Sequence, residues 1–386
     1  MEKKKNICRF QEKHISQKSE KNNSLSYQGT QIIINLKNLK ANLSFIKSKV
    51  DKETKIMSVV KAFGYGSEPV KISKFLEKNG VDYFAVAYVN EGIELRNCGV
   101  KLPILILHPQ LDDFDEIIKF NLEPNIYSFR ILNALIKKSD SHPFHLKFNT
   151  GLNRLGFSIN DIDELYNILN GKTNIKYLFS HLGASEDLNE KAFSNNQIRL
   201  FEKISKKMEV KFEKKFKKHL LNTSGIMNYS ECKYDMVRTG IGLYGYGNDK
   251  KYSKNLKPVL SLRSVISQIH FIKKGESVGY NRGFVANKNC KIAIIPIGHA
   301  DGIKRSFGNG KIGFYIKNKL AKTIGNICMD MLMLDITNIN CEEGDDVIII
   351  DDKIQTAEDL GEKTNTISYE ILTSLSSRIK RIVVNI

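Results

Sequence analysis

The chain has 386 residues, 41% of them hydrophobic, which is enough for two domains with full cores. Its net charge is +18, but the lysines interleave with glutamates and form no single basic stripe, which disfavours a nucleic-acid-binding function. No apolar run approaches the roughly 20 residues that span a bilayer, and the amino terminus lacks the apolar core of a secretion signal, so we expect a cytoplasmic protein without a membrane segment.

Residues 1–27 are polar and basic without a hydrophobic period, which predicts a disordered tail. Gln31–Leu36 then predicts a strand, and an amphipathic helix follows it. From Ile56 onward, short apolar runs alternate with amphipathic helices. The predicted strands are Ile56–Val60, Tyr83–Ala87, Ile104–Leu107, Pro124–Tyr127, Phe144–Phe148, Ile175–Ser180, His219–Leu221 and Asp235–Arg238. Eight such units in succession favour a closed (β/α)₈ TIM-type barrel over an open sheet, and we assign residues 28–248 to it.

Past Gly247 the pattern changes to short strand-like runs separated by glycines and charged turns. These runs are Val259–Ile272, Lys291–Pro296, Gly313–Tyr315, Met331–Ile336 and Asp346–Ile350. A single predicted helix, Tyr369–Ser376, comes late. Residues 249–386 therefore predict a second domain that is mostly β.

Lys61 ends the first predicted barrel strand. A lysine at a strand end often extends its head into water, and this structural explanation suffices for Lys61 taken alone. Burial, however, disfavours the ammonium and lowers the lysine pKa, which makes the amine a better nucleophile toward an aldehyde. Lys61 is therefore a candidate for a Schiff base with pyridoxal 5'-phosphate.

Other polar residues fall at the same end of the predicted barrel, where barrel enzymes place their chemistry. Lys147 ends strand five with Arg154 beyond it, and His181 ends strand six. The small-residue turns Asn222–Gly225 and Arg238–Gly242 end strands seven and eight and offer backbone N–H groups for a phosphate. Because these residues and turns are all predicted to lie at one end of the barrel, they favour a binding site for a flat, phosphorylated ring. The six cysteines lack the spacing of a zinc site, so no metal is expected.

Longer motifs are distributed from about Gln31 to the carboxyl terminus. They are Val60–Gly66, Lys147–Gly156, Ser180–Leu182, Asp235–Gly245, Val278–Tyr280, Gly325–Asp330 and Ser368–Glu370. With these motifs the chain closely resembles the alanine racemases, pyridoxal-phosphate enzymes of fold type III. The resemblance implies interconversion of L-alanine and D-alanine, which supplies D-alanine for peptidoglycan.

The resemblance also implies two catalytic bases and a homodimer with shared active sites. Lys61 would carry the cofactor and handle the α-hydrogen of the D enantiomer. Tyr280 of the partner subunit would handle that of the L enantiomer. Two bases on opposite faces of a fixed ring exchange the proton without rotating the substrate. Because a phenol normally titrates near roughly pH 10, a tyrosine in this role needs a cationic neighbour or strong donors.

Further roles implied by the resemblance concern the cofactor and the substrate. Arg238 would pair with the pyridine nitrogen, and since arginine donates a hydrogen bond but keeps its proton, the ring would stay a weaker electron sink. The other cofactor-binding residues implied are Tyr65, His181, Asn222, Thr223, Gly240, Ile241 and Tyr369. The implied substrate-binding residues are Arg154, Met329 and Asp330. Lys147 matches a lysine that some members of the family carry as a carbamate, which would orient Arg154.

Five positions depart from the usual family pattern. They are Ser67 in place of histidine, Asn149 in place of aspartate, Thr223 in place of serine, Thr239 in place of proline and His299 in place of tyrosine. Thr223 keeps the hydroxyl group. His299 bears on the substrate entrance and its size limit rather than on the reaction.

Three other functions stay open from the sequence. A fold-type-III amino-acid decarboxylase would pair the pyridine nitrogen with a carboxylate, and Arg238 argues against it. A broad-specificity amino-acid racemase would differ at the gate around Arg154 and His299. A non-catalytic cofactor carrier would lack the second domain, so Tyr280 and Met329 argue against it.

Overall fold

The structure is a computed structural model that describes residues 29–169, 174–247 and 250–385. The predicted tail, residues 1–27, lies outside the described residues. The chain forms two compact units. Within the described residues, the barrel unit comprises 38–64 and 69–257, and the β unit comprises 29–37, 65–68 and 258–385.

The barrel unit contains a closed barrel of eight strands. With β1 as Gln31–Asn35 of the β unit, the barrel strands are β2 (Lys55–Val59), β3 (Tyr83–Val86), β4 (Ile104–Ile106), β5 (Glu123–Ile126), β6 (Phe144–Lys147), β7 (Ile175–Phe179), β8 (Lys217–His219) and β9 (Met236–Thr239). Neighbouring strands pair in parallel in chain order, and β9 closes on β2 with Arg238 opposite Met57. The predicted (β/α)₈ barrel is therefore confirmed.

Strand β8 departs most from its prediction, which was His219–Leu221. Leu220 and Leu221 are buried, and their apolar side chains suggested strand residues. The ladder instead ends at His219, and the chain turns through Asn222 into the next helix.

Helices follow the barrel strands as the periodicity predicts. In the barrel segment they are α1 (Leu36–Lys47), α2 (Pro69–Lys78), α3 (Val89–Asn97), α4 (Phe114–Lys119), α5 (Phe129–Lys138), α6 (Ile162–Leu169), α7 (Lys191–Lys211), α8 (Thr223–Asn228) and α9 (Lys250–Ser253). Helix α5 illustrates the local interactions that stabilise these helices. The Ser128 hydroxyl accepts the N–H of Ile131, and two lysines in the last turn complement the helix dipole. Leu132 and Leu135 bury its inner face.

The β unit consists of short strands in three sheets. After β1 its strands are β10 (Leu260–Val265), β11 (Gln268–Ile272), β12 (Ser277–Val278), β13 (Phe284–Val285), β14 (Cys290–Ile295), β15 (Gly313–Ile316), β16 (Lys319–Lys322), β17 (Leu332–Asp335), β18 (Asp346–Ile350) and β19 (Lys380–Val384). Six strands pair in the order β16-β15-β18-β10-β1-β19, three in the order β11-β14-β17, and β12 pairs with β13. The predicted β-rich second domain is confirmed. The sequence missed β12, β13, β16 and β19, which are too short or too polar for an apolar run.

Strand β1 lies inside the six-stranded sheet of the β unit, whereas the sequence prediction had included it in the segment 28–248. It pairs antiparallel with β10 and parallel with β19, so that Ile32 faces Leu262 on one side and Arg381 on the other. Ile32 and Ile34 are fully buried. The apolar run located the strand, but its partners lie far along the chain, where a local pattern carries no information about them.

Two helices complete the β unit, α10 (Ala357–Lys363) and α11 (Ser368–Thr373). The predicted helix Tyr369–Ser376 corresponds to α11. Helix α10 was missed, although Thr356 and Asp359 form a capping box at its start. Among the described residues, every helix is too short or too polar to cross a bilayer.

Candidate active site

The site begins where β2 ends and the chain turns sharply at Lys61. The segment Lys61–Tyr65 is wound with left-handed backbone angles, since φ is +53° at Ala62, +54° at Phe63 and +60° at Gly64. Only glycine adopts this conformation freely, and other L-residues lose about 1–2 kcal/mol each in it. Strain of this kind is characteristic of functional sites that the surrounding structure holds in place.

Glu91, in the first turn of α3, holds this turn. One carboxylate oxygen accepts the N–H of Ala62 at 2.6 Å, and the other accepts those of Ala87 at 2.7 Å and Tyr88 at 3.0 Å. The carboxylate thus ties the residue after Lys61 to the end of β3. Glu91 also supplies the nearby negative charge that acts on Lys61.

The predicted lysines of the barrel mouth are held in a cationic environment. Burial, then the charge of Arg154, lower the pKa of the Lys61 amine, while Glu91 partly opposes them. Burial, Arg238 and Arg154 lower the pKa of Lys147 to about 7. Lys147 also lies over the ring of Phe179, with its Nζ 4.6 Å from the ring centroid. The structure therefore brings together Lys61, Lys147, Arg154 and Arg238 as one electrostatically coupled group.

Arg238, on β9, is buried and firmly oriented. Its Nη2 donates to the carbonyls of Ser180 and Leu220 and lies 3.1 Å from Nδ1 of His181, and its Nη1 lies 2.5 Å from Nδ1 of His219. Burial and Arg154 lower the pKa of its guanidinium to about 9, so it stays cationic at neutral pH. Within the described chain, Nε–H is the nitrogen of this guanidinium without an acceptor. It is a directed donor that suits an aromatic ring nitrogen.

His181 follows β7 and lies beside Arg238. Burial, followed by Arg238 and other cations, holds the pKa of His181 well below its ordinary value, so the imidazole is neutral. Because the guanidinium nitrogen beside Nδ1 of His181 is only a donor, a proton on Nδ1 would find no acceptor there, and the ring proton is therefore on Nε2. His181 is therefore a flat, uncharged ring held in a fixed tautomer.

The two predicted phosphate turns meet after β8 and β9. Asn222 caps α8 by accepting the N–H of Gly225 at 2.8 Å. The hydroxyl oxygen of Thr223 accepts the N–H groups of Gly240 and Gly242 at 3.3 and 3.4 Å and lies 3.4 Å from the hydroxyl of Thr239. A Cβ at Gly242 would lie 2.6 Å from the Thr223 methyl group, so the turn requires glycine there. The two turns form a compact cradle that can accept an anion.

Arg154 projects from a loop organised by Asn149. The Asn149 side-chain oxygen accepts the N–H groups of Gly151 and Asn153 at 3.1 and 3.0 Å, and its amide donates to Asn153 at 2.9 Å. An aspartate could accept the same backbone N–H groups but could not make the third bond. Asparagine in place of the usual aspartate at position 149 therefore preserves the loop that carries Arg154.

The remaining predicted residues lie in the β unit. The rings of Tyr65 and Tyr369 are 6.0 Å apart, and burial, with Tyr369, raises the pKa of Tyr65, so that its phenol stays a neutral donor. Tyr280 is 71% exposed in the turn after β12, and Met329 is 59% exposed. Asp330 accepts a hydrogen bond at 2.6 Å from Arg378. The β unit thus presents one phenol pair and one open surface that carries Tyr280 and Met329.

Several polar residues of the barrel were missed by sequence reasoning, namely Glu91, Glu123, His145, Ser180 and His219. Glu91 had a detectable signal, since an acidic residue three positions after the N-cap, here Tyr88, is typical of a helix start. Glu123, His145 and His219 lie on strands with side chains buried in the barrel, and their contacts depend on the register between strands. Single-sequence patterns do not determine that register.

The fold and the site define a barrel protein with a lysine-bearing, cationic mouth and a separate β-rich unit. The family model described as alanine racemase, N-terminal domain, matches residues 34–248, and that described as alanine racemase, C-terminal domain, matches residues 259–383. The chain belongs to the alanine racemase family.

Individual relatives agree with the family assignment. The alanine racemase of Clostridium kluyveri is 35% identical over 91% of this chain and 93% of the relative. The structure of alanine racemase from Clostridium difficile 630 superposes with a TM-score of 0.86 at 32% identity, covering 93% of this chain and 96% of that one. That of Bartonella henselae alanine racemase, with covalently bound pyridoxal phosphate, has a TM-score of 0.84 at 29% identity, covering 93% and 100%.

Proposed function

We propose that this protein interconverts L-alanine and D-alanine with pyridoxal 5'-phosphate and so supplies D-alanine for peptidoglycan in the cytoplasm. The observation that carries the proposal is the amine of Lys61. It stands at the carboxyl end of a barrel strand, has a lowered pKa, and is followed by a strained turn. An amine with these properties is the nucleophile that a pyridoxal aldehyde requires.

The donor set of the barrel unit fits the cofactor. The free Nε–H of Arg238 suits the pyridine nitrogen, and the neutral ring of His181 suits the face of the pyridine. Thr223 and the turn at Gly240 and Ile241 suit the phosphate. When bound, the cofactor withdraws electrons from the α-carbon of the substrate and makes its hydrogen acidic.

The chain's own residues then move one proton on each face of the α-carbon. The Lys61 Nζ takes or returns it on one face, and its lowered pKa keeps a larger fraction of the amine unprotonated at neutral pH. The phenol oxygen of Tyr280 of the partner subunit serves the other face. Arg154 would bind the substrate carboxylate, because a guanidinium matches a carboxylate with two parallel hydrogen bonds.

A homodimer is part of the proposal, because the second base must come from another chain. The surface that carries Tyr280 supports it. This surface also presents Met329 and Met331, which are 59% and 49% exposed, and large apolar side chains so exposed commonly mark an interface. Sedimentation analysis of the wild type and of Met331→Lys tests this step. A wild-type monomer that racemises alanine would contradict it.

Lys147 supports a carbamate in the same site. With a pKa near 7, about half of this buried amine is neutral at neutral pH, and the neutral amine is the form that adds carbon dioxide. The addition forms one N–C bond, opens one C=O π bond of carbon dioxide and releases one proton, which converts the neutral amine into an anion beside Arg154 and Arg238. NMR of the protein in ¹³C-bicarbonate would detect the carbamate carbon, and Lys147→Met should remove that signal.

The central test compares Lys61→Ala with Lys55→Ala, which changes a lysine at the opposite end of the same strand. With added cofactor, wild type and Lys55→Ala should bind pyridoxal phosphate and convert D-alanine to L-alanine, whereas Lys61→Ala should do neither. A panel of amino acids measured alongside separates an alanine enzyme from a broad-specificity racemase, and release of carbon dioxide would indicate the decarboxylase. Racemisation by Lys61→Ala would overturn the proposal.

A further inference from the structure

A chain of buried polar side chains runs through the barrel from Arg238 to Glu123. His219 Nδ1 lies 2.5 Å from Nη1 of Arg238, His219 Nε2 lies 2.9 Å from His145 Nδ1, and His145 Nε2 lies 2.9 Å from Oε2 of Glu123. All four residues are at most 6% exposed. Barrel interiors are ordinarily filled by branched apolar side chains, so an unbroken polar chain at this position needs an explanation.

The two ends of this chain dictate the direction of every hydrogen bond in it. A guanidinium can only donate and an ionised carboxylate can only accept. His219 must therefore accept at Nδ1 and donate from Nε2, and His145 must do the same, so that the last N–H points at Glu123. Both histidines are neutral in this arrangement, and each carries its proton on Nε2.

The charge states agree with this assignment. Burial raises the pKa of Glu123, but the hydrogen bonds from His145 and Tyr83 and the positive charge of Lys176 act against burial, and the net shift is downward. Burial lowers the pKa of His145 and, with Arg238, that of His219 well below the ordinary value. Other charged or titratable groups act on the four residues, namely Lys176, Lys147, His181, Tyr83, Arg96 on Glu123 and Arg154 on Arg238, while Asp235 acts on the neighbouring Tyr177.

Aromatic packing holds the two imidazoles in register. His145 stacks on Tyr177 with ring centroids 4.9 Å apart, and His219 stacks on Phe179 at 4.5 Å. Tyr177 and Phe179 are alternate residues of β7 and therefore face the same side of the strand. The stacking fixes the plane of each imidazole, and the hydrogen bonds at both ring nitrogens fix its orientation within that plane, so the four side chains form a rigid connection rather than a set of independent contacts.

We propose that Glu123 is a positioning residue that acts on Arg238 through His145 and His219. Its negative charge terminates the chain and balances the buried guanidinium, and each link polarises the next, so that His219 becomes a stronger acceptor for Arg238. Arg238 is thereby held with Nη1 engaged and Nε–H directed away from the chain. That this orientation of Arg238 serves the pyridine nitrogen rests on the proposed function, whereas the coupling from Glu123 to Arg238 does not.

The test uses the full chain without cofactor and measures the ring ¹⁵N and N–H proton signals of the histidines by NMR. Glu123→Gln keeps the shape of the side chain and an acceptor oxygen but removes the charge. Tyr83→Phe removes the other donor to the same carboxylate oxygen, which Tyr83 reaches at 3.1 Å, and so frees Glu123 for His145. His142, which binds the carbonyl of Leu122 at 2.7 Å, serves as a reference for intact folding.

Both histidines of the wild type should show neutral rings protonated at Nε2. In Glu123→Gln the N–H protons of His145 and His219 should both move upfield, and exchange of the Arg238 guanidinium protons with water should accelerate. In Tyr83→Phe the same protons should move downfield, and His142 should be unchanged in both variants. A shift confined to His145, or a wild-type ring protonated at Nδ1, would overturn the proposal. If Glu123→Gln loses the His142 signal, Tyr83→Phe decides alone.

The loaded enzyme provides a second readout. Glu123→Gln should lower kcat for alanine about tenfold, the size typical of partners that orient a ligand-binding residue, with a smaller change in KM. Racemisation at the wild-type rate, despite NMR evidence of coupling, would refute the catalytic consequence. Absence of racemisation in the wild type would refute the proposed function, and the NMR result would then be the test of the coupling from Glu123 to Arg238.

Discussion

The free-energy cost of burying the Lys147 ammonium in the barrel mouth can be measured as a pH dependence of the free energy of unfolding. This ammonium is buried beside two arginines, so its pKa falls from an ordinary 10.5 to about 7 in the folded protein. In the unfolded chain the amine returns to its ordinary value. Between these two pKa values the unfolded state binds more protons, and stability therefore rises with pH. Below about pH 7 both states are protonated, and the folded state bears the full cost of the buried cation.

The magnitude follows from the size of the shift. Each pKa unit corresponds to about 1.4 kcal/mol, so raising the pH from 6 to 9 should relieve about 3 kcal/mol of destabilisation. Lys147→Met keeps the apolar contact with Phe179 but removes the charge. We expect this variant to be more stable than the wild type at pH 6 and to lack this part of the pH dependence.

Urea unfolding of the cofactor-free protein in carbonate-free buffer at pH 6, 7.5 and 9 measures the effect. Lys217→Met, at an exposed position of β8, is the matched control and should follow the wild type at every pH. If the wild type and Lys147→Met change stability in parallel between pH 6 and 9, then Lys147 does not titrate in the folded state and the reasoning fails. Added bicarbonate should reduce the difference at high pH if the amine becomes a carbamate.

Three further predictions concern the supports of the site. Glu91→Gln removes a negative charge that raises the pKa of Lys61, so a pH titration of Lys61 with a carbonyl reagent should shift to lower pH. Gly242→Ala places a methyl group against Thr223 and should lower stability by about 1–3 kcal/mol and weaken phosphate binding, measured by urea unfolding and by titration with inorganic phosphate. Thr356→Ala removes a helix cap in the β unit and should cost about 1 kcal/mol without changing phosphate affinity.

The barrel could be predicted because its information is local. Each strand is a short buried run, each helix has its own apolar face, and parallel neighbours follow chain order, so alternation alone gives the topology. The β unit carries less local information. Strand β1 joins a sheet whose other members lie at the far end of the chain, and β16 alternates charged and small residues at a sheet edge. Such pairings are set by tertiary contacts that a local pattern does not encode.

The same distinction separates the predicted and the missed site residues. Lys147 ends a strand and Lys61 and His181 follow strands within two residues, where a polar residue after an apolar run is conspicuous and the location of chemistry in barrel enzymes is known. His145 and His219 lie within or at the end of strands and look like ordinary interruptions of an apolar pattern. Their importance appears only when the register of four strands brings their ring nitrogens within hydrogen-bonding distance.

The cations of the barrel mouth also suggest how one site can both release and accept protons. Arg154 is exposed and lowers the pKa of Lys61, which favours the unprotonated amine before substrate binds. A substrate carboxylate paired with Arg154 would neutralise much of that charge, and the pKa of Lys61 would rise toward its ordinary value. The amine would then be a stronger base once a substrate is present. Arg238, held by carbonyls and by His219, would keep its charge throughout, because its partners do not change when the substrate binds.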